Sequence, residues 1–148
     1  LGGLDLGKGK VPIVNFRELK QFFPSSIAGI EKGKTSGETT GLAGFKYSTA
    51  KAKYHEGKTR IEVSILDGGG VGSIMSGIAA WSKFDVDRET DDGYERTTTF
   101  DGYKAYEKYN ENRKKGEINL LVNDRFVVQV EGRGVDMEDL KKVAMEYL

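Results

Sequence analysis

The spacing of apolar and polar residues predicts a short helix near the start of the chain. Asn15 is suited to cap this helix, Val14 and Leu19 are placed to form a hydrophobic staple, and Pro24 ends it. The polar, glycine-rich stretch that follows has neither a helical nor a strand period. It predicts an exposed connection over residues 25–40 with at most one helical turn.

Two strands joined by a tight turn are predicted next. In the first strand the apolar positions change parity after Tyr47, which predicts a bulge near residues 48–49 or two short strands that meet there. The second strand alternates apolar with polar residues between positions 60 and 65. Helical spacing returns over residues 73–84, where Gly77 and Ala80 form a small face that would let a helix lie close on a sheet.

The clearest local signal is the Asp-Gly dipeptide at residues 101–102, which favours a two-residue hairpin turn. Closing this hairpin with Phe100 opposite Tyr103 puts oppositely charged residues face to face, and a shift of one residue would separate them. The other predicted pairs are Tyr94 with Tyr109, Glu95 with Lys108, Arg96 with Glu107, Thr97 with Tyr106 and Thr98 with Ala105.

Two more strands and a final helix complete the pattern. Residues 117–122 and 125–130 carry apolar residues on both faces, which predicts strands that are central or covered on both sides. Asp136 is placed to cap the last helix, with Val135 and Leu140 as its staple.

These elements predict an α+β fold, with an antiparallel sheet of about six strands and helices packed on it, in the order α-β-β-α-β-β-β-β-α. Residues 13–148 would form this single domain. Residues 1–12, which are glycine-rich and aperiodic, would form a linker or tail.

Composition excludes several kinds of chemistry. The 23 basic and 23 acidic side chains cancel, so no overall field favours nucleic acid as a partner, and the basic run at residues 113–115 is interpreted as solvated loop charge. The absence of cysteine excludes disulfides, thiolate metal sites and a cysteine nucleophile. No stretch approaches the roughly 18 apolar residues of a membrane-spanning helix.

The first candidate ligand site is the glycine loop at residues 68–73, between a predicted strand and a predicted helix. Gly70, Gly72 and Ser73 would offer backbone amides to a small anion. The loop lacks the third glycine of a dinucleotide fingerprint and the Lys-Ser/Thr pair of a P-loop, and Asp67 at its start would compete with an anion. The alternative is a flexible joint between strand and helix.

The second candidate is a weak calcium site in the acidic run between the two halves of the chain. Asp85, Asp87, Glu89 and Asp91 alternate along it and supply the oxygen ligands that calcium prefers. The run lacks the glycine and the final glutamate of the EF-hand pattern, so a solvated acidic loop is the alternative. No cofactor is predicted.

The remaining residues offer little catalytic chemistry. His55 is the only histidine and is expected as an exposed turn residue, so a His-rich metal site is excluded. The hairpin tyrosines could stack on bases or sugars, but their shared parity favours packing in the core. An enzyme that uses two carboxylates is left open, although the sequence favours no particular pair.

The C-terminal half, from "GYERTTTFDGYKAYEKYN" to "INLLVNDRFVVQVEGRGVDMEDLKKVA", resembles small bacterial exported or lipid-anchored domains of uncharacterised function. Its order of elements is similar to the PsbP/Mog1-like arrangement. The resemblance rests on element order and turn placement, so it transfers no site residues. It implies a non-catalytic binding or accessory domain of unknown partner. The alternative function is a small-anion-binding protein that uses residues 68–73.

The same resemblance implies an extracytoplasmic location, periplasmic or membrane-anchored. The chain begins with Leu1 and a glycine-rich segment, which is compatible with a signal or lipid anchor upstream and equally with a trimmed chain. A cytoplasmic location is left open.

Overall fold

The computed structural model describes residues 12–42, 44–70 and 72–148, so nearly all of the predicted tail lies outside the described residues. Within these ranges the chain forms three short α-helices: α1 (Phe16–Leu19), α2 (Gly72–Ile78) and α3 (Met137–Met145). Single 3₁₀ turns follow α1 at Lys20–Phe22 and α2 at Ala80–Lys83. The nine strands are β1 (Ser26–Ile27), β2 (Ile30–Leu42), β3 (Phe45–Glu56), β4 (Thr59–Asp67), β5 (Asp87–Thr90), β6 (Gly93–Phe100), β7 (Tyr103–Asn110), β8 (Lys115–Val122) and β9 (Phe126–Arg133).

All nine strands lie in one antiparallel sheet, in the order β1-β2-β3-β4-β9-β8-β7-β6-β5. Each half of the chain is a meander, and the two meanders join where β4 pairs with β9. The predicted fold of about six strands with helices packed on them is therefore wrong. The molecule is mostly one large sheet with a few short helices, and the sequence pattern does not predict β1, β2 or β5.

The unpredicted strands lie toward the two edges of the sheet. Of the described side chains of β2, that of Ile30 alone is buried, and all four residues of β5 are exposed. Such strands are held mainly by backbone hydrogen bonds to a neighbour, so they need no hydrophobic alternation. Residues 25–40 are largely exposed, as expected, but the expectation of a connection without regular structure is wrong, because they form β1 and most of β2.

The hairpin of β6 and β7 confirms the predicted register at every pair, including Phe100 opposite Tyr103. Its turn residues, Asp101 and Gly102, have φ angles of 49° and 83°, as a primed turn requires. The tyrosines and phenylalanine on the predicted parity pack against the main core, which confirms their structural role; they are Tyr94, Phe100, Tyr103 and Tyr109.

The bulge predicted near residues 48–49 is wrong, because β3 pairs continuously with β4 through this region. The parity change has another origin. Tyr47 points to one face, whereas Ser48 begins the buried series on the other face that continues with Ala50 and Ala52. The register shift that does occur lies in β2, between Lys32 and Thr35.

The main core lies on one face of the sheet, here called the inner face, beneath α1 and α3. Gly116 and Gly132 face each other on β8 and β9 and let α3 approach closely. A Cβ atom at Gly132 would lie 2.4 Å from Val135 Cγ1 and 2.7 Å from Leu140 Cδ2. The small face predicted at Gly77 has no such purpose, because a Cβ atom there would meet no atom of the described residues within 4 Å.

A smaller apolar cluster lies on the opposite face, here called the outer face. Leu66, Leu121 and Val127 are covered there by Ile78 of α2, by Trp81 of its 3₁₀ turn and by Ala79 between the two. The central strands β8 and β9 are therefore covered on both faces at this end, as their sequence predicts. Toward the other end of the central strands the outer face is polar.

Candidate functional site

The glycine loop is anchored by a buried ion pair. Asp67 is fully buried, and its carboxylate accepts hydrogen bonds from Arg125 Nε at 2.7 Å and Nη2 at 2.8 Å. The Gly69 amide donates to Asp67 Oδ1 at 2.8 Å, and the Gly68 amide donates to the Arg125 carbonyl at 3.0 Å. Two amides of the loop are thus engaged within the protein, beside a carboxylate.

The same ion pair joins the glycine loop to the start of the described chain. Val14 N–H donates to Asp67 Oδ2 at 2.7 Å, and Arg125 Nη2 donates to the Pro12 carbonyl at 2.8 Å. Ser48 Oγ, on β3, donates to the Val14 carbonyl at 2.6 Å. Asp67 and Arg125 therefore hold three distant segments together, which is a structural role.

The ligand residues predicted in the loop are only partly described. Gly70 has a φ of 71° and Gly72 begins α2, while the side chain of Ser73 lies outside the described residues. The anion site at these three residues stays a prediction.

The acidic run forms a strand and its approaches. Asp87 and Glu89 lie on β5 with one parity, and with Asp91 they line a cavity of about 500 Å³ at the sheet edge, whereas Asp85 precedes the strand. Within residues 12–42, 44–70 and 72–148, no three histidine, aspartate or glutamate side chains lie close enough to hold a metal ion. The calcium site stays a prediction. The acidic run is exposed to solvent, as the alternative expected, but Asp87 and Glu89 lie on a strand rather than in a loop.

One further buried carboxylate lies on the inner face. Glu107 is fully buried on β7 and accepts a hydrogen bond from Arg96 Nε, in the cross-strand pair that the hairpin register predicts. Burial, followed by the nearby Glu107 carboxylate, raises the pKa of Tyr94 to about 12. Glu107, Arg96 and Tyr94 are therefore interpreted as part of the packing on the inner face of β6 and β7.

The outer face carries a row of basic side chains that runs perpendicular to the strands. We call it the basic row: His55 on β3, Arg60 on β4, Arg133 on β9 and Lys115 on β8. Neighbours in the row are direct cross-strand partners, whose Cα atoms in an antiparallel sheet lie about 4.5–5.5 Å apart. All four residues are exposed, as expected for His55, although His55 lies on β3 and not in the turn.

A row of acidic side chains lies beside it, two residues along each strand. We call it the acidic row: Glu62 on β4, Glu131 on β9 and Glu117 on β8. Lys53 and Lys108 continue this row on the flanking strands. Like charges directly opposite each other destabilise a sheet, so each row opposes folding where its own members meet.

The rest of the outer face becomes less charged toward α2. The next row along the strands presents amides and hydroxyls together with one lysine: Lys51, Ser64, Gln129, Asn119, Tyr106 and Thr97. Beyond it lie the apolar residues that α2 and its 3₁₀ turn cover. The two charged rows therefore occupy the open end of the face.

Like charges repel one another within each row, and the effect is visible at Glu131. Partial desolvation, with the neighbouring Glu117 and Glu62 carboxylates, raises the pKa of Glu131, and Lys115 and Lys51 offset part of this effect. Gln129 Nε2 donates to Glu117 Oε2 at 3.2 Å.

The cations beside these glutamates lie without a salt-bridge partner among the described residues. In the part of the chain that the structure describes, Arg60, Arg133 and Lys115 form no salt bridge. Their charges therefore remain accessible to a ligand.

Two shallow depressions cover the charged rows and meet at Lys115 and Glu131, which line both of them. The larger has a volume of about 400 Å³ and lies over β3, β4 and β9. The smaller, of about 330 Å³, lies over β7, β8 and β9 and includes Arg113. The rows thus border a continuous concave surface.

Sequence reasoning missed these rows because their members are distant along the chain. The interpretation of residues 113–115 as loop charge is wrong for Lys115, which lies on β8. A signal for half of the arrangement was available, since the hairpin of β8 and β9 puts Lys115 opposite Arg133 and Glu117 opposite Glu131. The pairing of β4 with β9 has no comparable local signal.

The described part of the chain contains no helix that is both long and apolar enough to cross a membrane. Comparisons with protein-family models, with curated proteins and with solved structures find no match for this chain. The resemblance to PsbP/Mog1-like domains and the extracytoplasmic location therefore stay predictions.

Proposed function

We propose that this chain is a non-catalytic binding domain and that its binding surface is the open end of the outer face. The observation that carries the proposal is the alignment of like charges in the basic row and the acidic row. Because each row opposes folding, a role other than stability accounts for it. Departures from favourable local pairing are expected at functional sites.

Solubility does not explain the arrangement. Each of the three central strands carries one cation and one glutamate two residues apart: Arg60 and Glu62, Glu131 and Arg133, Lys115 and Glu117. Exchanging the two charges on β9 alone would keep the net charge and would convert every like pair along these strands into an opposite pair. The observed order instead separates positive and negative charge into two lines.

These two lines indicate the chemistry of the partner. Two residues along a strand span about 7 Å, so the rows are close enough for one ligand or peptide to contact both. Complementary charge would orient such a partner on the surface. The surface therefore fits a polar, charged partner.

The proposal is tested by titrating the ¹⁵N-labelled protein with two probes, the tetra-amine spermine and an aspartate-rich hexapeptide. We expect at least one probe to shift amide signals of β4, β8 and β9 selectively. The Glu131→Lys variant should weaken spermine binding, whereas Glu38→Lys, the same change on exposed β2, should not. The proposal fails if neither probe shifts these strands, or if spermine binds and both variants weaken its binding alike.

A further inference from the structure

We infer that the basic row is a site for a compact, multivalent oxyanion carrying phosphate or sulfate groups. This inference rests on the proposed function of the outer face and names the ligand class for one of its two rows. It concerns Arg60, Arg133 and Lys115, with His55 at the end of the row.

The three cations of the basic row repel one another and lie without a described counter-charge. Arg60, Arg133 and Lys115 are direct cross-strand neighbours, and none of them forms a salt bridge with a described carboxylate. The charge of Lys115 offsets part of the rise in the pKa of Glu131, so the basic row and the acidic row attract each other. That attraction leaves the repulsion along the basic row in place, and a bound anion would relieve it.

The spacing of the three cations matches the size of such an anion. Adjacent strands lie about 4.7–4.9 Å apart, so Arg60 and Lys115 on either side of Arg133 span roughly 10 Å. A chain of two or three phosphate or sulfate groups has a length of that order. The guanidinium groups of Arg60 and Arg133 have the planar, forked donors that suit such oxygens. All three side chains border the depression of about 400 Å³.

The surroundings of the basic row favour a compact anion over a charged polymer. The acidic row lies only two residues from the basic row along each strand, so it would repel a polyanion that extends across the face. The chain as a whole has a formal net charge of +0 and gives no long-range attraction to a polymer. A small ligand that stays over the basic row avoids both problems.

The test uses the whole chain and two probes, inorganic triphosphate and a sulfated disaccharide, titrated by calorimetry and followed by amide shifts. Triphosphate should bind with shifts centred on residues 60, 115 and 133, and its affinity should fall steeply with added salt. Tighter binding of the sulfated sugar would identify a carbohydrate source, and tighter binding of triphosphate a phosphorylated one.

Arg133→Gln should lower the affinity for triphosphate at least about tenfold, since a charge-assisted hydrogen bond typically contributes a factor of that size to binding. Arg17→Gln is the matched control, with the same change of charge on exposed α1, and it should alter affinity less than twofold. If Arg133→Gln fails to fold, Lys115→Gln replaces it.

The inference is overturned if neither anion shifts these residues up to about 10 mM, or if Arg133→Gln and Arg17→Gln weaken binding equally. Spermine binding at the acidic row in that case would leave the proposed function standing. Absence of binding by every probe would reject both.

Discussion

Neutralising the centre of the acidic row should stabilise the protein. Glu131 lies directly opposite Glu62 on β4 and Glu117 on β8. A cross-strand pair contributes roughly 0.2–1 kcal/mol, and like charges reverse its sign. Glu131 forms two such like-charged pairs, so their repulsions add. Because Glu131 is exposed, solvent screening keeps the total repulsion in the lower half of the range summed over both pairs. We therefore expect Glu131→Gln to raise the free energy of unfolding at pH 7 by about 0.5–1 kcal/mol.

The pH dependence gives this prediction its sign. The pKa of Glu131 is raised in the folded protein, so folding favours its neutral form. The stability linked to this group is fully present below the ordinary glutamate pKa of about 4.5 and is lost as the pH rises through the folded value. The variant and the parent chain should therefore be equally stable near pH 3.5 and should diverge as the pH rises toward neutrality.

The measurement is thermal unfolding of both chains at several pH values. A gain of about 0.5–1 kcal/mol corresponds to about 1–4 °C for a domain of this size. Glu38→Gln is the control, since Glu38 is exposed on β2 and faces Thr49. The reasoning is refuted if Glu131→Gln is less stable than the parent at pH 7, if its gain persists at pH 3.5, or if the control gains as much.

Three further substitutions test the fold. Asp67→Asn should cost about 3–5 kcal/mol in urea denaturation because it leaves Arg125 buried without its counter-charge, and a loss below 1 kcal/mol would contradict this role. Gly132→Ala should cost about 1–3 kcal/mol because its Cβ atom would overlap Val135 and Leu140. The new Cβ atom of Gly77→Ala would contact no atom of the described residues within 4 Å, and Gly77 lies in a helix. This substitution should therefore leave the free energy of unfolding unchanged or raise it by up to about 1 kcal/mol. Equal effects of the two alanine substitutions in thermal unfolding would show that α3 does not depend on close approach at Gly132.

Local chemistry explains which elements the sequence predicts. The hairpin of β6 and β7 is specified by its Asp-Gly turn and by paired charges, and every pair of its register is confirmed. The cap of α1 is similarly local, because Asn15 Oδ1 accepts a hydrogen bond from the Arg17 amide at 2.9 Å. These features depend on residues a few positions apart, so one sequence contains the whole signal.

Packing that joins distant segments was not predicted. Gly77 carried the expected signature of a closely packed helix, yet the close approach occurs at Gly116 and Gly132. Nothing local distinguishes these glycines from turn or loop glycines until β8, β9 and α3 are placed together. The role of Asp67 was missed for the same reason, since Arg125 lies 58 positions away.

The sequence by itself determined the short-range features of this protein: a chain balanced in charge and free of cysteine, a confirmed hairpin register, and central strands with apolar residues on both sides. Only the tertiary structure decided the nine-stranded sheet and its charged outer face. The edge strands are stabilised by backbone hydrogen bonds that leave no side-chain period. The basic row requires β4 beside β9, which brings Arg60 to Arg133 across 73 positions of sequence. Alternation along β4 and β9 puts these side chains on the outer face, but it does not specify which strand each of them faces.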